Sequence, residues 1–194
     1  SSGALMPSFH SVAVIGADAV EARMGGYTLD DAAGVSIVDG LSARLGDRVH
    51  YAPGPGRSAA TYTVVPATSL DSLRGEYFDN ITLEGAPRAV RRDQQIDFHW
   101  TFDPPARGLS VGWYSARWTA HLRAPAGGVR RLGIEGSDGY RLYLDDKLLI
   151  DNWRKQSYRS ILVPVAVSPG STHALRLEFF ESEGSARVRL VWDT

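Results

Sequence analysis

The chain has 194 residues, 43% of them hydrophobic, and 21 Lys and Arg residues nearly balance 22 Asp and Glu residues, for a net charge of −1. This balance predicts neither nucleic acid nor an anionic membrane surface as a partner. The absence of cysteine excludes disulfides, thiol catalysis and thiolate metal sites.

The N-terminus has neither the basic start nor the apolar core of a signal peptide. No apolar run approaches the ~20 residues that span a bilayer. The chain begins with Ser1 rather than Met, which suggests a piece of a longer protein. Cytoplasmic, periplasmic and secreted locations are all compatible with these features.

The first predicted elements form one β-α-β unit. Residues 11–16 are an almost unbroken apolar run, typical of a strand buried on both faces of a parallel sheet. Residues 36–45 have helical periodicity, with apolar residues at 37 or 38, 41 and 45, and Gly46 follows where a left-handed cap belongs. Residues 48–51 are the second predicted strand. Because one such unit cannot cover both faces of its strands, we expect a larger α/β domain with its remainder outside this chain.

From residue 73 onward the pattern changes to strands. Residues 57–72 are rich in Pro, Gly, Ser, Thr and Ala and are predicted to be a linker, with a short extended run at 62–65. Apolar residues then alternate with polar ones, and Gly, Pro and Ser turns separate the alternating runs. This pattern predicts an antiparallel β-sandwich with one core face per sheet. The clearest alternating runs are 116–122, 161–167, 175–179 and 186–192.

A β-hairpin is predicted where residues 140–144 and 148–150 flank Asp145-Asp146-Lys147. We expect an odd loop or a bulge near Asp146, because a two-residue loop would scatter the leucines onto both faces. Asp138 and Trp153 then meet at the open end of the hairpin. The predicted register pairs Leu144 with Leu148, Leu142 with Ile150, Tyr143 with Leu149, and Arg141 with Asp151.

The hairpin carries a family resemblance. Residues 137–145 and 149–153 resemble the signature of the PA14 domain, a β-sandwich family found in bacterial toxins, in fungal adhesins and as an insertion in glycoside hydrolases. Further similar motifs lie at 75–78 (Gly-Glu-Tyr-Phe), 115–119 (Ser-Ala-Arg-Trp-Thr) and 190–192 (Leu-Val-Trp). The resemblance implies a PA14 domain over about residues 73–194.

A second resemblance covers the beginning of the chain. The motifs of the first unit resemble the start of the α/β-sandwich domain of glycoside hydrolase family 3, and some members of that family carry a PA14 domain inserted into this sandwich. The two resemblances imply a mainly β fold, with residues 1–56 as an incomplete α/β segment and residues 73–194 as the PA14 domain. The motifs are residues 11–19, 25–27, 40–41, 45–46 and 51–54.

The expected function follows from these resemblances. The chain would be part of a family 3 β-glycosidase, similar to a β-glucosidase or a β-xylosidase. Its PA14 domain would overhang the pocket, bind or screen carbohydrate and tune substrate length. The expected partners are a β-linked oligosaccharide or aryl glycoside and the remaining domains of the hydrolase. One alternative is a stand-alone carbohydrate-binding or adhesion module, and another is a packing domain without ligand.

No catalytic residue is assigned in this chain. A retaining glycosidase needs two carboxyl groups ~5 Å apart. By resemblance to family 3, the nucleophile would precede residue 1 and the acid/base would follow residue 194. We therefore expect the chain to be inactive alone.

Candidate sugar contacts are aromatic, acidic and basic residues in or beside predicted loops, where rings can stack on a pyranose. For the hairpin residues the alternative is a turn aspartate and a core tryptophan. For the loop aromatics it is burial against a neighbouring domain, and for Arg23 and Tyr27, which resemble wall pieces of the family 3 pocket, a flexible surface loop. The candidates are Asp138, Arg141, Trp153, Trp113, Tyr114, Tyr158, Arg23 and Tyr27.

No cofactor is predicted. The five histidines lie too far apart in sequence for a local metal motif. Fungal PA14 lectins hold Ca²⁺ with two adjacent aspartates, and by this resemblance the corresponding pair here is Ser137-Asp138. Because Ca²⁺ affinity depends on the number of carboxylates, the serine disfavours calcium.

Overall fold

The computed structural model describes residues 10–20, 22, 34–54 and 62–193. The chain divides into two compact units, Ser1–Ala60 and Thr61–Thr194. In the described ranges no helix is long and apolar enough to cross a membrane.

The first unit has the predicted β-α-β order. Strands β1 (Val12–Ile15) and β2 (Val49–Ala52) pair in parallel, and helix α1 (Ile37–Leu45) lies between them in sequence. The α1 N-cap is Ser36, whose hydroxyl accepts a 3.0 Å hydrogen bond from the Asp39 N–H, and the helix ends at Gly46 with φ of +57°. Short 3₁₀ helices occupy Ala17–Val20 and Gly46–Arg48.

The described residues of this unit leave β1 partly uncovered, so its expected burial on both faces within a larger domain stays a prediction. Ala13 and Ile15 are exposed, and Ala19 is the only apolar residue described in this unit that is buried. The predicted helical stripe is likewise only half-buried at residues 38, 41 and 45, and Ile37 is exposed. The two strands and one α-helix described in this unit are too few elements to cover the apolar faces that this sequence carries.

The second unit is an antiparallel β-sandwich, so the predicted mainly β fold class is confirmed. A six-stranded sheet has the order β10-β9-β12-β7-β4-β5, and a second sheet has the order β11-β8-β13-β3, with β6 also pairing with β13. The strands are β3 (Thr63–Val64), β4 (Leu70–Phe78), β5 (Ala89–Arg92), β6 (Asp97–Trp100), β7 (Tyr114–Arg123), β8 (Val129–Gly136), β9 (Gly139–Leu144), β10 (Lys147–Asn152), β11 (Arg159–Val167), β12 (Thr172–Glu181) and β13 (Ala186–Asp193).

Part of the predicted linker contributes to the sandwich. The extended run predicted at 62–65 contains β3, which pairs with β13. Val65, which follows β3, and Leu70, which begins β4, are both apolar and are buried in the core. The boundaries proposed for the linker and the domains otherwise stay a prediction.

The core is centred on Trp118, which is fully buried on the inner face of β7. Its indole N–H donates a 2.9 Å hydrogen bond to Asp93, and the Tyr77 hydroxyl donates to the same carboxylate at 2.6 Å. The Trp118 ring is stacked with Phe98 at a centroid distance of 5.4 Å. Asp93 thus satisfies the polar atoms of two buried aromatic rings, a role that its position in a loop did not indicate.

The β9–β10 hairpin has a two-residue turn, so the expectation of an odd loop is wrong. Leu144 lies opposite Lys147, and the turn residues Asp145 and Asp146 both have positive φ, as type I′ turns require. Asp145 also accepts hydrogen bonds from the His173 ring at 2.6 Å and from a backbone N–H of β12, and the His173 contact lowers the pKa of Asp145. These contacts with β12 support a turn sequence that lacks glycine.

A β-bulge restores the rest of the predicted register. The pairing shifts between Leu148 and Ile150, so that Ile150 lies opposite Leu142 and Asp151 lies opposite Arg141, as predicted. Leu148, in contrast, lies opposite Tyr143 and is exposed. The predicted pairs of Leu144 with Leu148 and of Tyr143 with Leu149 are therefore wrong, because the extra residue is absorbed within β10 rather than in the turn.

Candidate functional site

A groove of about 520 Å³ lies at the open end of the β9–β10 hairpin. Two of the predicted contact residues, Arg141 of β9 and Trp153 just after β10, line it together. Asp151, Asn152 and Arg154 complete the lining. The groove therefore offers guanidinium donors, an amide and a carboxylate acceptor beside an aromatic ring.

Arg141 is held in place from several sides. Its guanidinium forms ion pairs with Asp151 at 3.1 Å and with Glu178 at 3.7 Å. It also lies over the Trp153 ring, 4.6 Å from the ring centroid. A guanidinium fixed in this way loses little conformational entropy when it donates to a ligand.

The Trp153 ring is packed rather than bare. It makes an edge contact with Phe180 at 4.9 Å between ring centroids. Gly139 lies opposite Phe180 across the β9–β12 pair, and a Cβ at Gly139 would collide with the Phe180 ring. The glycine of the Ser-Asp-Gly motif therefore makes room for the ring that supports Trp153.

Asn152 and Arg154 line the groove with hydrogen-bonding groups. The Arg154 side chain donates to the Asn152 side-chain oxygen at 3.3 Å, and the Arg154 N–H donates to the Asn152 carbonyl at 2.9 Å. The Asn152 amide nitrogen is buried, and within the described residues it has no hydrogen-bond partner. A buried donor without a partner lowers the stability of the fold. Binding of a ligand hydroxyl or a water molecule whose oxygen accepts from this donor would therefore be favoured.

Asp138 supports the loops around the groove and does not line it. Its side chain is 3% exposed, and its φ is +42°. One carboxylate oxygen accepts from both the N–H and the hydroxyl of Ser182, each at 2.7 Å, and the other accepts from the Gln156 N–H at 3.4 Å. Contact between Asp138 and a sugar stays a prediction, whereas its support of residues 156 and 182 is a feature of the fold.

Glu181 is a buried acid that the sequence analysis did not single out. It is 1% exposed at the end of β12 and accepts a 3.1 Å hydrogen bond from the Ser137 hydroxyl. Burial, followed by the nearby negative charge of Asp138, raises the pKa of Glu181 to about 7. Its position beside the Ser-Asp-Gly motif depends on strand pairing, which is not visible in the sequence.

We expect the sandwich to lose stability between pH 5 and pH 8 because Glu181 must ionise inside it. Since the folded-state pKa is raised, the stabilisation is present below the ordinary glutamate pKa and is lost as the pH rises through about 7. The expected loss is about 2 kcal/mol, and Glu181→Gln should abolish it. Urea unfolding at both pH values measures the difference. An equal pH dependence in the wild type and the variant would contradict the assignment.

The loop aromatics divide into exposed and buried residues. Trp113 is 58% exposed. Its backbone has a φ of +64°, and its N–H donates to the Ser182 carbonyl at 3.1 Å. Tyr158 is exposed, with the Arg187 guanidinium 5.1 Å from its ring centroid. The expectation of an exposed ring is wrong for Tyr114, which is fully buried as the first residue of β7. The inward alternation of Ala116 and Trp118, extended back by one step, would have indicated its burial.

Two predicted residues, Arg23 and Tyr27, lie outside the described residues. Their proposed contact with a glycosidase pocket stays a prediction.

The side chains around Ser137 and Asp138 do not fit a calcium site. Both Asp138 oxygens already accept hydrogen bonds from N–H and O–H groups, and the Ser137 hydroxyl donates to Glu181. In the part of the chain that the structure describes, no three His, Cys, Asp or Glu residues are grouped as metal ligands would be.

The second unit is therefore a β-sandwich module that has a polar groove at the open end of its β9–β10 hairpin. The profile of the PA14 domain family matches residues 71–194, and the chain belongs to this family.

Similar proteins include two with different names. The chain is 30% identical over 122 residues to the anti-sigma-I factor RsgI3 of Acetivibrio thermocellus. This match covers 63% of this chain and 19% of that protein. The chain is also 30% identical over 155 residues to a β-glucosidase of Rhizobium radiobacter. This match covers 75% of this chain and 18% of that protein. The chain thus spans less than a fifth of the length of either relative.

Solved structures show the same fold. An anti-sigma factor domain-containing protein from Clostridium clariflavum is 32% identical with a TM-score of 0.59, covering 64% of this chain and 42% of that one. A β-glucosidase from Kluyveromyces marxianus is 17% identical with a TM-score of 0.59, covering 94% of this chain and 25% of that one. At this identity the second likeness concerns the fold alone.

Proposed function

We propose that this chain is part of a family 3 β-glycosidase, similar to a β-glucosidase or a β-xylosidase, and that its PA14 domain binds carbohydrate near the active site. The observation that supports this is the extent of one match. The similarity to the Rhizobium radiobacter β-glucosidase covers 75% of the chain, which is more than residues 71–194 can supply. It therefore includes part of the first unit, whereas the match to the anti-sigma-I factor covers 63%.

The chemistry of the groove supports a saccharide as the ligand. Sugars present rows of hydroxyl groups that both donate and accept hydrogen bonds, and protein sites for them combine a few fixed polar groups with aromatic rings. Arg141, Asp151 and Asn152 provide donors and an acceptor, and Trp153 provides the ring. The expected ligands are β-linked oligosaccharides and aryl glycosides.

The first unit supports a place within a larger enzyme. Its exposed apolar residues include Ile15, Val35 and Ile37. Large apolar side chains exposed on a two-stranded parallel sheet and its helix are ordinarily covered by further strands and helices. The remaining domains of a family 3 hydrolase would supply these elements, and the boundaries 1–56 and 73–194 are the proposed division.

A stand-alone carbohydrate-binding or adhesion module is the second candidate. It is supported by the similarity of the PA14 region to an anti-sigma factor, because that relative has a similar region and is not named as a glycosidase. The two proposals agree on sugar binding and differ in whether the parent protein hydrolyses glycosides.

We expect Arg141→Ala to weaken oligosaccharide binding at least about tenfold, since one charged donor in a preorganised site contributes more than 1.4 kcal/mol. The fold should survive, because Glu178 keeps ion pairs with Arg117 and Arg176. Titration calorimetry of this chain with β-1,4-linked glucose oligomers measures the loss. The matched control is Arg130→Ala on β8 of the other sheet, where the side chain is 74% exposed.

Failure of the wild-type chain to bind any of these oligomers or an aryl β-glucoside would sink the binding proposal. The same variant in the parent protein distinguishes the two candidates. A glycosidase should show a changed preference between aryl glycosides and oligosaccharides, whereas a stand-alone module should bind sugar and show no hydrolysis.

A further inference from the structure

The outer face of the six-stranded sheet carries an alternating line of charges. Strand register places five charged residues in one line across five strands. Neighbours along the line are ion-paired at distances of 3.1, 3.7, 3.5 and 3.4 Å. Opposite charges therefore meet at every step, and three carboxylates and two guanidinium groups leave this charge ladder with a net charge of −1. In order its members are Asp151, Arg141, Glu178, Arg117 and Glu76.

The next line of residues on the same face has a different charge pattern. Two positions along each strand, the register places Tyr143, Arg176, Thr119, Arg74 and Arg92 side by side. This arginine row contains three guanidinium groups and no carboxylate. It runs parallel to the charge ladder across β9, β12, β7, β4 and β5.

Two arginines of this row oppose each other directly. Arg74 lies opposite Arg92 across the β4–β5 pair, and like charges in this arrangement are destabilising. Arg74 shares Glu76 with Arg117, and Arg176 pairs with Glu178, whereas among the described residues Arg92 has no ion-pair partner. A stable fold does not need this pair, so an anion that binds between the arginines would account for it.

A cleft of about 290 Å³ opens at the arginine row. Thr119, Tyr143 and Arg176 from the row line the cleft, together with Ser72 and His121. Arg176 is fixed over the Tyr143 ring, 3.8 Å from the centroid, and Ser72 has a φ of +55° where the β4–β7 register shifts. Asp146 is the one carboxylate among the lining residues.

We propose that the arginine row binds an acidic saccharide, with the carboxylate of one uronic acid unit between Arg74 and Arg92 and a neighbouring sugar unit in the cleft at Thr119, Tyr143 and Arg176. This rests on the proposed carbohydrate binding. Guanidinium groups pair with carboxylates through two parallel hydrogen bonds, and the Thr119 and Ser72 hydroxyls suit the neighbouring sugar hydroxyls. A long polyanion is disfavoured, because the net charge of the whole chain is −1 and the positive charge is confined to one row.

The cleft and the groove are close enough to serve one ligand. Arg141 lines the groove and Tyr143 lines the cleft, and the two residues lie on the same face of β9. Alternate residues of a strand are about 7 Å apart. A saccharide chain that occupies the groove is therefore positioned to place an adjoining unit at the arginine row.

The test compares a β-1,4-linked glucuronic acid tetramer with its carboxyl-reduced counterpart, the β-1,4-glucose tetramer, by titration calorimetry on this chain. We expect the acidic tetramer to bind about tenfold more tightly at low salt, and the preference to shrink as salt screens the arginines. Arg92→Gln should remove most of this preference, and its thermal stability should be unchanged or higher because the like-charged pair is gone. Arg130→Gln on the other sheet is the matched control and should keep the preference.

Equal affinity of the wild type for both tetramers would overturn the acidic site and leave the proposed function standing. Full retention of the preference in Arg92→Gln would also overturn it, as would an equal loss in Arg130→Gln, which would indicate unspecific attraction. Binding of neither tetramer would overturn this site, and a failure to bind the other glucose oligomers and an aryl β-glucoside as well would also overturn the proposed carbohydrate binding.

Discussion

Replacing Asp138 with Ala is expected to destabilise the PA14 domain by about 2–4 kcal/mol and to weaken sugar binding in the groove. The carboxylate accepts hydrogen bonds from the Ser182 N–H, the Ser182 hydroxyl and the Gln156 N–H, and Ala would leave these buried donors unpaired. Ala also tolerates the φ of +42° poorly. The loops at 156 and 182 should therefore loosen next to Trp153.

Asp138→Asn is the matched control for this prediction. Asn keeps an acceptor oxygen and adopts positive φ more readily than Ala, so its loss of stability should be smaller. Both variants remove the negative charge, so both should move the pKa of Glu181 back toward its ordinary value. Urea unfolding and a titration followed by NMR measure these effects. Binding lost with stability unchanged would contradict the structural role and favour direct contact between Asp138 and the sugar.

Trp118→Ala should have the largest effect on stability, about 3–5 kcal/mol. The side chain is fully buried between the two sheets, is stacked on Phe98, and donates its indole N–H to Asp93. The substitution leaves a cavity and removes one donor from a buried carboxylate that still accepts from Tyr77. Urea unfolding followed by far-ultraviolet circular dichroism measures the change without relying on tryptophan fluorescence.

Trp113→Ala is the control within the same residue type. Trp113 is exposed and its backbone already lies in the left-handed region, so its truncation should change stability by less than about 1 kcal/mol. Similar losses for the two tryptophans would mean that the core does not depend on Trp118 in the way that its burial indicates.

The hairpin shows which features local sequence can predict. Alternation from 140 to 144 indicated a strand with Leu142 facing the core, and the pairs Leu142 with Ile150 and Arg141 with Asp151 followed from the same reasoning. The turn was predicted wrongly, because two aspartates in left-handed conformation depend on contacts from Asp145 to His173 and to a backbone N–H of β12. Those contacts are 28 and 29 residues away in sequence.

The sequence by itself determined the β-α-β unit, the antiparallel sandwich and the pairs of Leu142 with Ile150 and of Arg141 with Asp151, since each depends on local periodicity or on one hairpin. Only the tertiary structure decided the burial of Asp138, the contact of Arg141 with the Trp153 ring, the raised pKa of Glu181, and the arginine row. These features depend on which strands become neighbours. Strand order in a sandwich is set by packing between distant segments, and that packing is not encoded in the spacing of any single stretch.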